Sequence, residues 1–224
     1  MLLVPEPRCL AAAILAGGRA RRFGEIDKSA LTIAGESILE RLVNVLRSIT
    51  SHVFAVGDHY GAAAAAGLDV VTDEIPDGGP LGGIYSAIIN SPCERTLVVG
   101  CDMPFLTEPF LRHLVERSHT LTVIPRTIQG YEPLCANYAR ESAAAIRNRL
   151  DRGERHAASL PGGVQVIEVG PEEIAAFDPH GLLFVNVNTP TDFAEARRRL
   201  ESCRPSTRTI GKPFDEDQDQ HRLN

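Results

Sequence analysis

Glycines and cations follow one another closely in residues 14–28, which read ILAGGRARRFGEIDK. Gly17 and Gly18 end an apolar run, and glycine allows a backbone to turn tightly and to point its peptide N–H groups at an anion. Four cations then fall within ten residues, and they are Arg19, Arg21, Arg22 and Lys28. This combination is typical of a pocket for a polyphosphate.

Two familiar phosphate-binding motifs are absent from this segment. The Walker motif ends in Gly-Lys-Ser/Thr, but Gly24 is followed by Glu25. The dinucleotide fingerprint G-x-G-x-x-G is also absent, because Gly17 and Gly18 are adjacent and the next glycine is Gly24. Neither a P-loop nor a hydride cofactor is therefore expected.

Two aspartates follow predicted strands. Asp73 opens the glycine-rich loop DEIPDGGPLGG, and Asp102 follows the apolar residues 96–100. Asp73 has a role either in nucleotide or metal binding or only in a turn, where aspartate commonly bonds its own backbone. Mg²⁺ takes one or two carboxylates together with substrate phosphates, so Asp102 is the predicted metal ligand.

The residues between these motifs predict strands that alternate with helices. Strands are expected at 10–15, 31–34, 52–56, 68–72, 96–100, 121–124, 164–169 and 182–188, and residues 129–138 are expected at a sheet edge or as a crossing strand. Helices are expected at 38–49, 61–67, 84–89, 107–115 and 140–150, and after Thr189. Such alternation predicts a largely parallel sheet whose ligands gather at the carboxyl ends of its strands.

Length and composition favour a single domain over residues 10–201, between a short extension (1–9) and a polar tail (202–224) for which no structure is expected. The net charge of −6 argues against nucleic-acid and membrane-surface binding. Without a signal peptide or a long apolar run, a cytoplasmic, soluble protein is expected. The five cysteines are odd in number and lack a C-x-x-C pair, which predicts reduced thiols and neither disulfides nor a zinc site.

Residues 14–28 resemble the nucleotidyltransferase signature L-A-x-G-x-(S/A)-x-R-(M/F)-G-x(1,2)-D-K, in the two-glycine form found in molybdenum cofactor guanylyltransferases, the MobA family. The G-P-L-x-G loop, the string C-D-M-P-F-L and the string F-V-N-V-N-T-P also resemble this family and occur in its order. The resemblance covers residues 10–200 and implies an α/β, three-layer, Rossmann-like nucleotidyltransferase fold with a mostly parallel mixed sheet flanked by helices.

The family resemblance implies transfer of GMP from GTP to the terminal phosphate of molybdopterin or the molybdenum cofactor, with release of pyrophosphate and with Mg²⁺ as cofactor. It assigns nucleotide binding to Leu15, Ala16, Gly17, Gly18, Arg19, Lys28, Asp73 and Asp102. It assigns catalysis to Lys28, Arg22 and Asp102, with Asp102 also the metal ligand, and pterin binding to Glu132, Arg155, Asn186 and Asn188. Lys28 and Asp102 are expected to meet over the triphosphate.

Several alternatives stay open at this point. Glu132 could equally well belong to a plain edge strand with no binding role. Arg155 could equally well serve only the dipole at the end of a helix. Val56 stands where the best-known family members place an asparagine for guanosine, which keeps a cytidylyltransferase for the same cofactor in view. A sugar-phosphate nucleotidyltransferase and a non-catalytic nucleotide-binding module are the other candidates. A monomer is expected, and transient contact with molybdoenzymes or other cofactor-biosynthesis proteins is left open.

Overall fold

One sheet organises the chain in a computed structural model that describes residues 9–17, 32–33, 35–57, 61–158, 160, 162–187 and 189–202. Eight strands of these residues form the sheet, and β2 and β3 form a separate pair. The strands are β1 (Leu10–Leu15), β2 (Thr32–Ile33), β3 (Glu36–Ser37), β4 (His52–Val56), β5 (Asp69–Val71), β6 (Arg95–Gly100), β7 (Thr122–Thr127), β8 (Gly130–Tyr131), β9 (Cys135–Ala139) and β10 (Val166–Val169).

The sheet is mixed and mostly parallel, as the sequence predicted. Its order is β10-β7-β9-β6-β1-β4-β5, and β8 pairs with β7. β1 runs parallel to both of its neighbours, β4 and β6, whereas β9 runs antiparallel to β6 and β7. Because parallel neighbours end at the same edge, the chain leaves β1, β4, β5 and β6 on one side of the molecule.

Helices cover both faces of the sheet. They are α1 (Ile38–Arg47), α2 (Ala62–Ala65), α3 (Gly79–Asn90), α4 (Glu108–Glu116), α5 (Ser142–Asp151), α6 (Pro171–Ala175) and α7 (Pro190–Ser202). None of these seven helices, which belong to the described part of the chain, is long and apolar enough to cross a membrane.

Two hydrophobic cores lie on the two faces of the sheet and confirm the three-layer architecture. Side chains of a strand alternate between faces, so Ala11 and Ala13 enter one core and Ala12 and Ile14 the other. The first core includes Leu81 and Ile84 of α3 and Ile146 and Leu150 of α5. The second includes Leu42 and Leu46 of α1 and Phe110, Leu111 and Leu114 of α4.

Residues 182–187 do not form the strand that the sequence predicted. The backbone N–H groups of Leu182 and Leu183 donate to the Asp178 carboxylate at 2.7 and 2.9 Å, and the Val185 N–H donates to the Leu182 carbonyl at 3.0 Å. These local bonds use donors that a strand would need for its ladder. The apolar alternation therefore reflects packing of single side chains, such as the buried Val187, against the second core.

Of the two positions predicted for residues 129–138, a sheet edge or a crossing strand, the edge is wrong for β9, which is an internal antiparallel strand. β9 lies inside the sheet between β6 and β7, and its five residues are buried. Pro133, which suggested an edge, lies in the turn before β9, where proline removes no ladder hydrogen bond.

Cys9 and Cys93 form a disulfide, so the expectation that the chain contains none is wrong. Leu10 pairs with Arg95 in the parallel β1–β6 ladder, and the two cysteines precede these residues. The strand pairing therefore places side by side two residues that are 84 positions apart in the sequence. Spacing along the chain could not show this proximity.

Phe110→Ala tests the core beneath α4. Phe110 is fully buried and makes edge contacts with Phe177 and Phe184, at 5.8 and 5.7 Å between ring centroids. We expect the free energy of unfolding in urea to fall by about 3–5 kcal/mol, because the substitution leaves a cavity. Ile128→Ala is the control and should stay within about 0.5 kcal/mol, because Ile128 is 86% exposed. Equal losses in both variants would contradict this description of the core.

Candidate functional site

The candidate site lies at the carboxyl edge of the parallel strands. Leu15, the last residue of β1, pairs with Val56 of β4 and with Gly100 of β6, and Val56 pairs with Val71 of β5. The turns after all four strands therefore meet. Ligands of open α/β sheets bind outside this edge.

The turn after β1 is held by the neighbouring strand. The Ala16 N–H donates to the Val56 carbonyl at 2.9 Å, and the Gly57 N–H donates to the Val71 carbonyl at 2.9 Å. The side chain of Leu15 lies against α3, since a methyl group added at Gly83 would approach Leu15 Cδ1 to 3.2 Å. The amide of Ala16 is thus already bonded within the fold.

Gly17, Gly57 and Asp73 lie in contact. A Cβ added at Gly57 would lie 2.8 Å from Gly17 Cα, and one added at Gly17 would lie 3.3 Å from Asp73 Oδ2. The structure therefore brings together two predicted nucleotide-binding residues, Gly17 and Asp73. Gly57 was not among the residues predicted for the site, although a glycine soon after the apolar strand repeats in β4 the pattern of Gly17 after β1.

Asp102 lies beside this turn, at the end of β6. The absence of a side chain at Gly100 leaves room for its carboxylate, because a Cβ there would lie 2.8 Å from Asp102 Oδ1. The Cys101 N–H lies 3.4 Å from the Leu15 carbonyl, which joins the end of β6 to the end of β1. Asp102 is half-buried and therefore still reaches solvent.

The backbone of Asp102 also holds the C-terminal segment that contains Asn186. The Asp102 carbonyl accepts a hydrogen bond from the Val187 N–H at 2.8 Å. Val187 is buried, and its neighbour Asn186 is exposed. Asn186, a predicted pterin contact, thus lies at the same edge as Asp102 although no strand carries it.

Glu132 reaches this edge through the turn before β9. Because β9 runs antiparallel to β6 with Cys135 opposite Val99, the turn lies near the end of β6. The Glu132 N–H donates to the Pro125 carbonyl at 2.9 Å, and Thr127 Oγ1 lies 3.4 Å from its carboxylate. Burial raises the pKa of Glu132 above its usual value, and the Thr127 hydroxyl opposes this shift.

Arg155 connects the start of α3 with the end of α5. Its carbonyl accepts from the Leu81 N–H at 3.2 Å, and Gly79 packs so closely that an added Cβ would lie 2.9 Å from that carbonyl. Its guanidinium Nη1 donates to the Leu150 and Glu154 carbonyls, each at 2.9 Å. One guanidinium nitrogen is therefore bonded to the helix end, and the predicted phosphate contact stays a prediction.

Five predicted site residues lie outside the described residues, and they are Gly18, Arg19, Arg22, Lys28 and Asn188. The expected meeting of Lys28 and Asp102 therefore stays a prediction. The described part of the site supplies the carboxylates and the close-packed glycine turn.

Comparisons with known proteins agree with this architecture. A family model described as "MobA-like NTP transferase domain" matches residues 12–164. A "Probable molybdenum cofactor guanylyltransferase" of Pelotomaculum thermopropionicum is 35% identical over 192 residues, which cover 85% of this chain and 93% of that protein. A protein of the same description from Natronomonas pharaonis is 33% identical over 198 residues, covering 84% and 96%.

Solved structures give the same result. The crystal structure of "Molybdopterin-guanine dinucleotide biosynthesis protein A" from Archaeoglobus fulgidus superposes with a TM-score of 0.72 at 25% identity, covering 86% of this chain and 99% of that one. A 4-diphosphocytidyl-2C-methyl-D-erythritol synthase from Anaerococcus prevotii, at 12% identity and a TM-score of 0.64, covers 87% and 96% and shares the fold. These similarities confirm the predicted fold class and the family resemblance.

Gly57→Ala tests the close approach of the two turns. Gly57 has a φ of +65° and lies against Gly17, whereas Gly61 has a φ of +72° and no atom of the described residues within 4 Å of an added Cβ. Alanine at either position should cost about 1–2 kcal/mol of unfolding free energy for the left-handed conformation. Gly57→Ala should lose clearly more in urea denaturation, because its methyl group also collides with backbone. Equal losses in the two variants would refute the contact.

Glu132→Gln tests the desolvation of this carboxyl group. Because the folded-state pKa of Glu132 is raised, its contribution to stability is complete below its usual pKa and is lost as pH rises through the folded-state pKa. Glutamine does not ionise, so the stability of the variant relative to the parent should increase between about pH 4 and about pH 7 in urea denaturation.

Glu168→Gln is the matched control, with the opposite sign. The Tyr131 hydroxyl donates a hydrogen bond to Glu168 and lowers the pKa of that carboxyl, so its contribution is present above the usual pKa and is lost as pH falls. The stability of this variant relative to the parent should therefore decrease as pH rises, mainly below about pH 4.3, the usual pKa of a glutamate. The same direction of change in both variants would contradict the assigned shifts.

Proposed function

This chain belongs to the MobA-like NTP transferase domain family, and from that premise we propose that it transfers GMP from GTP to the terminal phosphate of molybdopterin or the molybdenum cofactor. Pyrophosphate is the second product. The observation that carries the proposal is the gathering of Gly17, Asp73 and Asp102 at one edge of the sheet. The two-glycine turn also favours GTP over CTP on the family resemblance.

The reaction is a displacement at the α-phosphorus of GTP. An oxygen of the acceptor phosphate forms the new bond, and the bond from the α-phosphorus to the oxygen that leaves with pyrophosphate breaks. No protein nucleophile is needed, so catalysis consists mainly of positioning and of neutralising phosphate charge.

The loop after β1 binds the triphosphate in this proposal. Because the Ala16 amide bonds to the Val56 carbonyl, the first amide of the turn proposed to bind the anion is that of Gly17. Leu15 and Ala16 fix the position of the turn. Charge neutralisation comes from Arg19, Arg22 and Lys28.

The carboxylates suit a hard divalent cation. Asp102 and Asp73 offer oxygen donors at the edge where the phosphates are proposed to bind, and Mg²⁺ prefers oxygen ligands. Asp102 would hold Mg²⁺ together with the phosphates, and Asp73 would bind the nucleotide from the neighbouring turn. A bound Mg²⁺ would reduce the negative charge that the acceptor phosphate must approach.

The acceptor is proposed to bind on the side of Asp102 that is opposite the nucleotide. Glu132, in the turn before β9, and Asn186, attached through Val187 to the Asp102 carbonyl, border this side. Asn188 follows two residues later in the sequence. Arg155 would contact the acceptor through guanidinium nitrogens other than Nη1, which bonds to α5.

We also propose that residues 10–201 act as a single domain and a monomer in the cytoplasm, with small molecules as substrates. The net charge of −6 supports small molecules as the partners, because it disfavours nucleic acids and anionic membranes. The two cores share one sheet, which supports a single domain.

Asp102→Asn tests the catalytic assignment by measured pyrophosphate release with GTP, Mg²⁺ and molybdopterin. We expect kcat to fall by at least about 10²-fold, because charge stabilisation at the reacting phosphate is lost. Asp73→Asn should chiefly raise KM for GTP. Asp69→Asn is the control, because Asp69 is exposed at the opposite end of β5 and its substitution should leave both constants unchanged. Unchanged turnover in Asp102→Asn would overturn the assignment.

The same assay separates the remaining functions. Pyrophosphate release should require GTP and molybdopterin together and should be much slower with CTP. Faster release with CTP would identify a cytidylyltransferase, and release with sugar phosphates as acceptors would identify a sugar-phosphate enzyme. Nucleotide binding without any release would identify a binding module.

A further inference from the structure

A second group of reactive side chains lies at the amino edge of the sheet, opposite the candidate site. Ligand atoms of Cys9, His52 and Cys93 all lie within 4.8 Å of one another. Cys9 precedes β1, His52 begins β4, and Cys93 lies two residues before β6. We call these three residues the amino-edge cluster.

Strand pairing fixes the amino-edge cluster. β1 lies between β4 and β6, with Ala11 opposite His52 and Leu10 opposite Arg95. Three segments that are distant in the sequence therefore start side by side. Backbone pairing alone brings the cluster together, whether or not the cysteines are bonded.

Hydrogen bonds to neighbouring residues hold two members of the cluster in place. Ser91 Oγ donates to the Cys93 carbonyl at 3.1 Å and accepts from the Cys93 N–H at 3.2 Å, and Arg140 Nη2 donates to the same carbonyl at 3.1 Å. Thr50 Oγ1 accepts from the His52 N–H at 3.2 Å and donates to the Leu10 carbonyl at 2.6 Å. Opening the disulfide would therefore leave these positions anchored.

The three side chains of the amino-edge cluster differ in solvent exposure, and this difference suits a site that exchanges a ligand with solvent. Cys93 is 2% exposed, whereas Cys9 and His52 are exposed. A solute can therefore reach the cluster from the Cys9 side.

The cysteine pair has two chemical states. As a disulfide it offers no thiolate, but a dithiol reductant of the thioredoxin type supplies two electrons and two protons and yields two thiols. Disulfides in reducing compartments are usually transient or redox-sensing. In such a compartment two thiols would lie beside an imidazole.

We propose that the reduced amino-edge cluster binds one Zn²⁺ through Cys9 Sγ, Cys93 Sγ and a ring nitrogen of His52. Binding releases the two thiol protons, and the two thiolates balance the charge of the ion. Water fills the fourth position of the tetrahedron. The disulfide and the zinc complex exclude each other because both use the same sulfur atoms.

The donor set selects the kind of metal. Sulfur and imidazole ligands suit Zn²⁺ and similar borderline or soft ions, whereas Mg²⁺ prefers oxygen. With Zn–S distances of about 2.3 Å, two sulfur ligands of a tetrahedral ion lie about 3.8 Å apart. The two sulfur atoms are at bonding distance in the disulfide, so they must move apart to this separation once the bond is reduced, while the ring nitrogen of His52 already lies within 4.8 Å of both.

The test uses the full chain, reduced with a phosphine and freed of reductant under anaerobic conditions. Zn²⁺ is titrated in competition with a chromogenic chelator, and Co²⁺ is titrated separately to detect thiolate-to-metal charge-transfer absorption. We expect one equivalent of metal to bind to the reduced protein. Oxidation to the disulfide should abolish binding.

Variants identify the ligands. Cys9→Ser and His52→Gln replace exposed side chains, so both should fold, and each should weaken zinc binding by at least about 100-fold. His119→Gln and Cys101→Ser are the matched controls and should bind zinc like the parent protein. Bound Zn²⁺ should also protect Cys9 and Cys93 from alkylation, as read by peptide mass spectrometry.

Two results would overturn the proposal. One is reduced parent protein that binds zinc no more tightly than Cys9→Ser, and the other is oxidised protein that binds zinc as tightly as reduced protein. Pyrophosphate release in Cys9→Ser should equal that of the parent, because the cluster lies at the edge opposite the candidate site. The zinc proposal and the proposed function can therefore fail independently.

Discussion

The parallel pairing of β1 with both β4 and β6 is the constraint on which the rest of the structure depends. It brings the turns after these strands together at the carboxyl edge, where Gly17 meets Gly57 and Asp102 lies beside the end of β1. It also sets the faces of the strand. A shift by one residue would move Ala12 and Ile14 into the wrong core, so hydrophobic burial enforces the register that the site requires.

The glycines at the site allow close backbone contact, and this role matters more than the flexibility that they give to the chain. Gly57 and Gly17 touch along their main chains, and a Cβ added at Gly17 would approach Asp73 Oδ2 to 3.3 Å, a tight contact. At Gly100, the same lack of a Cβ leaves room for the Asp102 carboxylate. Asp73 and Asp102 thus each lie against a glycine, in a neighbouring turn for Asp73 and at the end of the preceding strand for Asp102.

The sequence predicted those features that depend on local pattern. β1 and β4 have the predicted bounds, and Asp73 and Asp102 follow strands as expected, because apolar runs that end in polar residues report buried strands directly. Features that depend on distant partners were not predicted. The Asp178 carboxylate accepts hydrogen bonds from the amides of residues 182–183, which prevents the predicted strand there. β9 is internal because β6 and β7 pair with it on either side. Neither partner can be read from the local sequence pattern. The Cys9–Cys93 pair requires the β1–β6 register, which spacing does not contain.

The two edges of the sheet differ in their donor chemistry, and this difference limits how they can influence each other. Carboxylate oxygens at one edge favour hard cations, and sulfur with imidazole at the other favours softer ones, so the two proposed sites would not compete for one metal. β1 has six residues, which at about 3.3 Å per residue separate the edges by about 17 Å. This distance is about twice the Debye length of about 8 Å at physiological ionic strength, so charge at the amino edge is largely screened from the triphosphate. Coupling between the edges would therefore pass through β1, β4 and β6, which are paired with one another and extend from the amino-edge cluster to the candidate site.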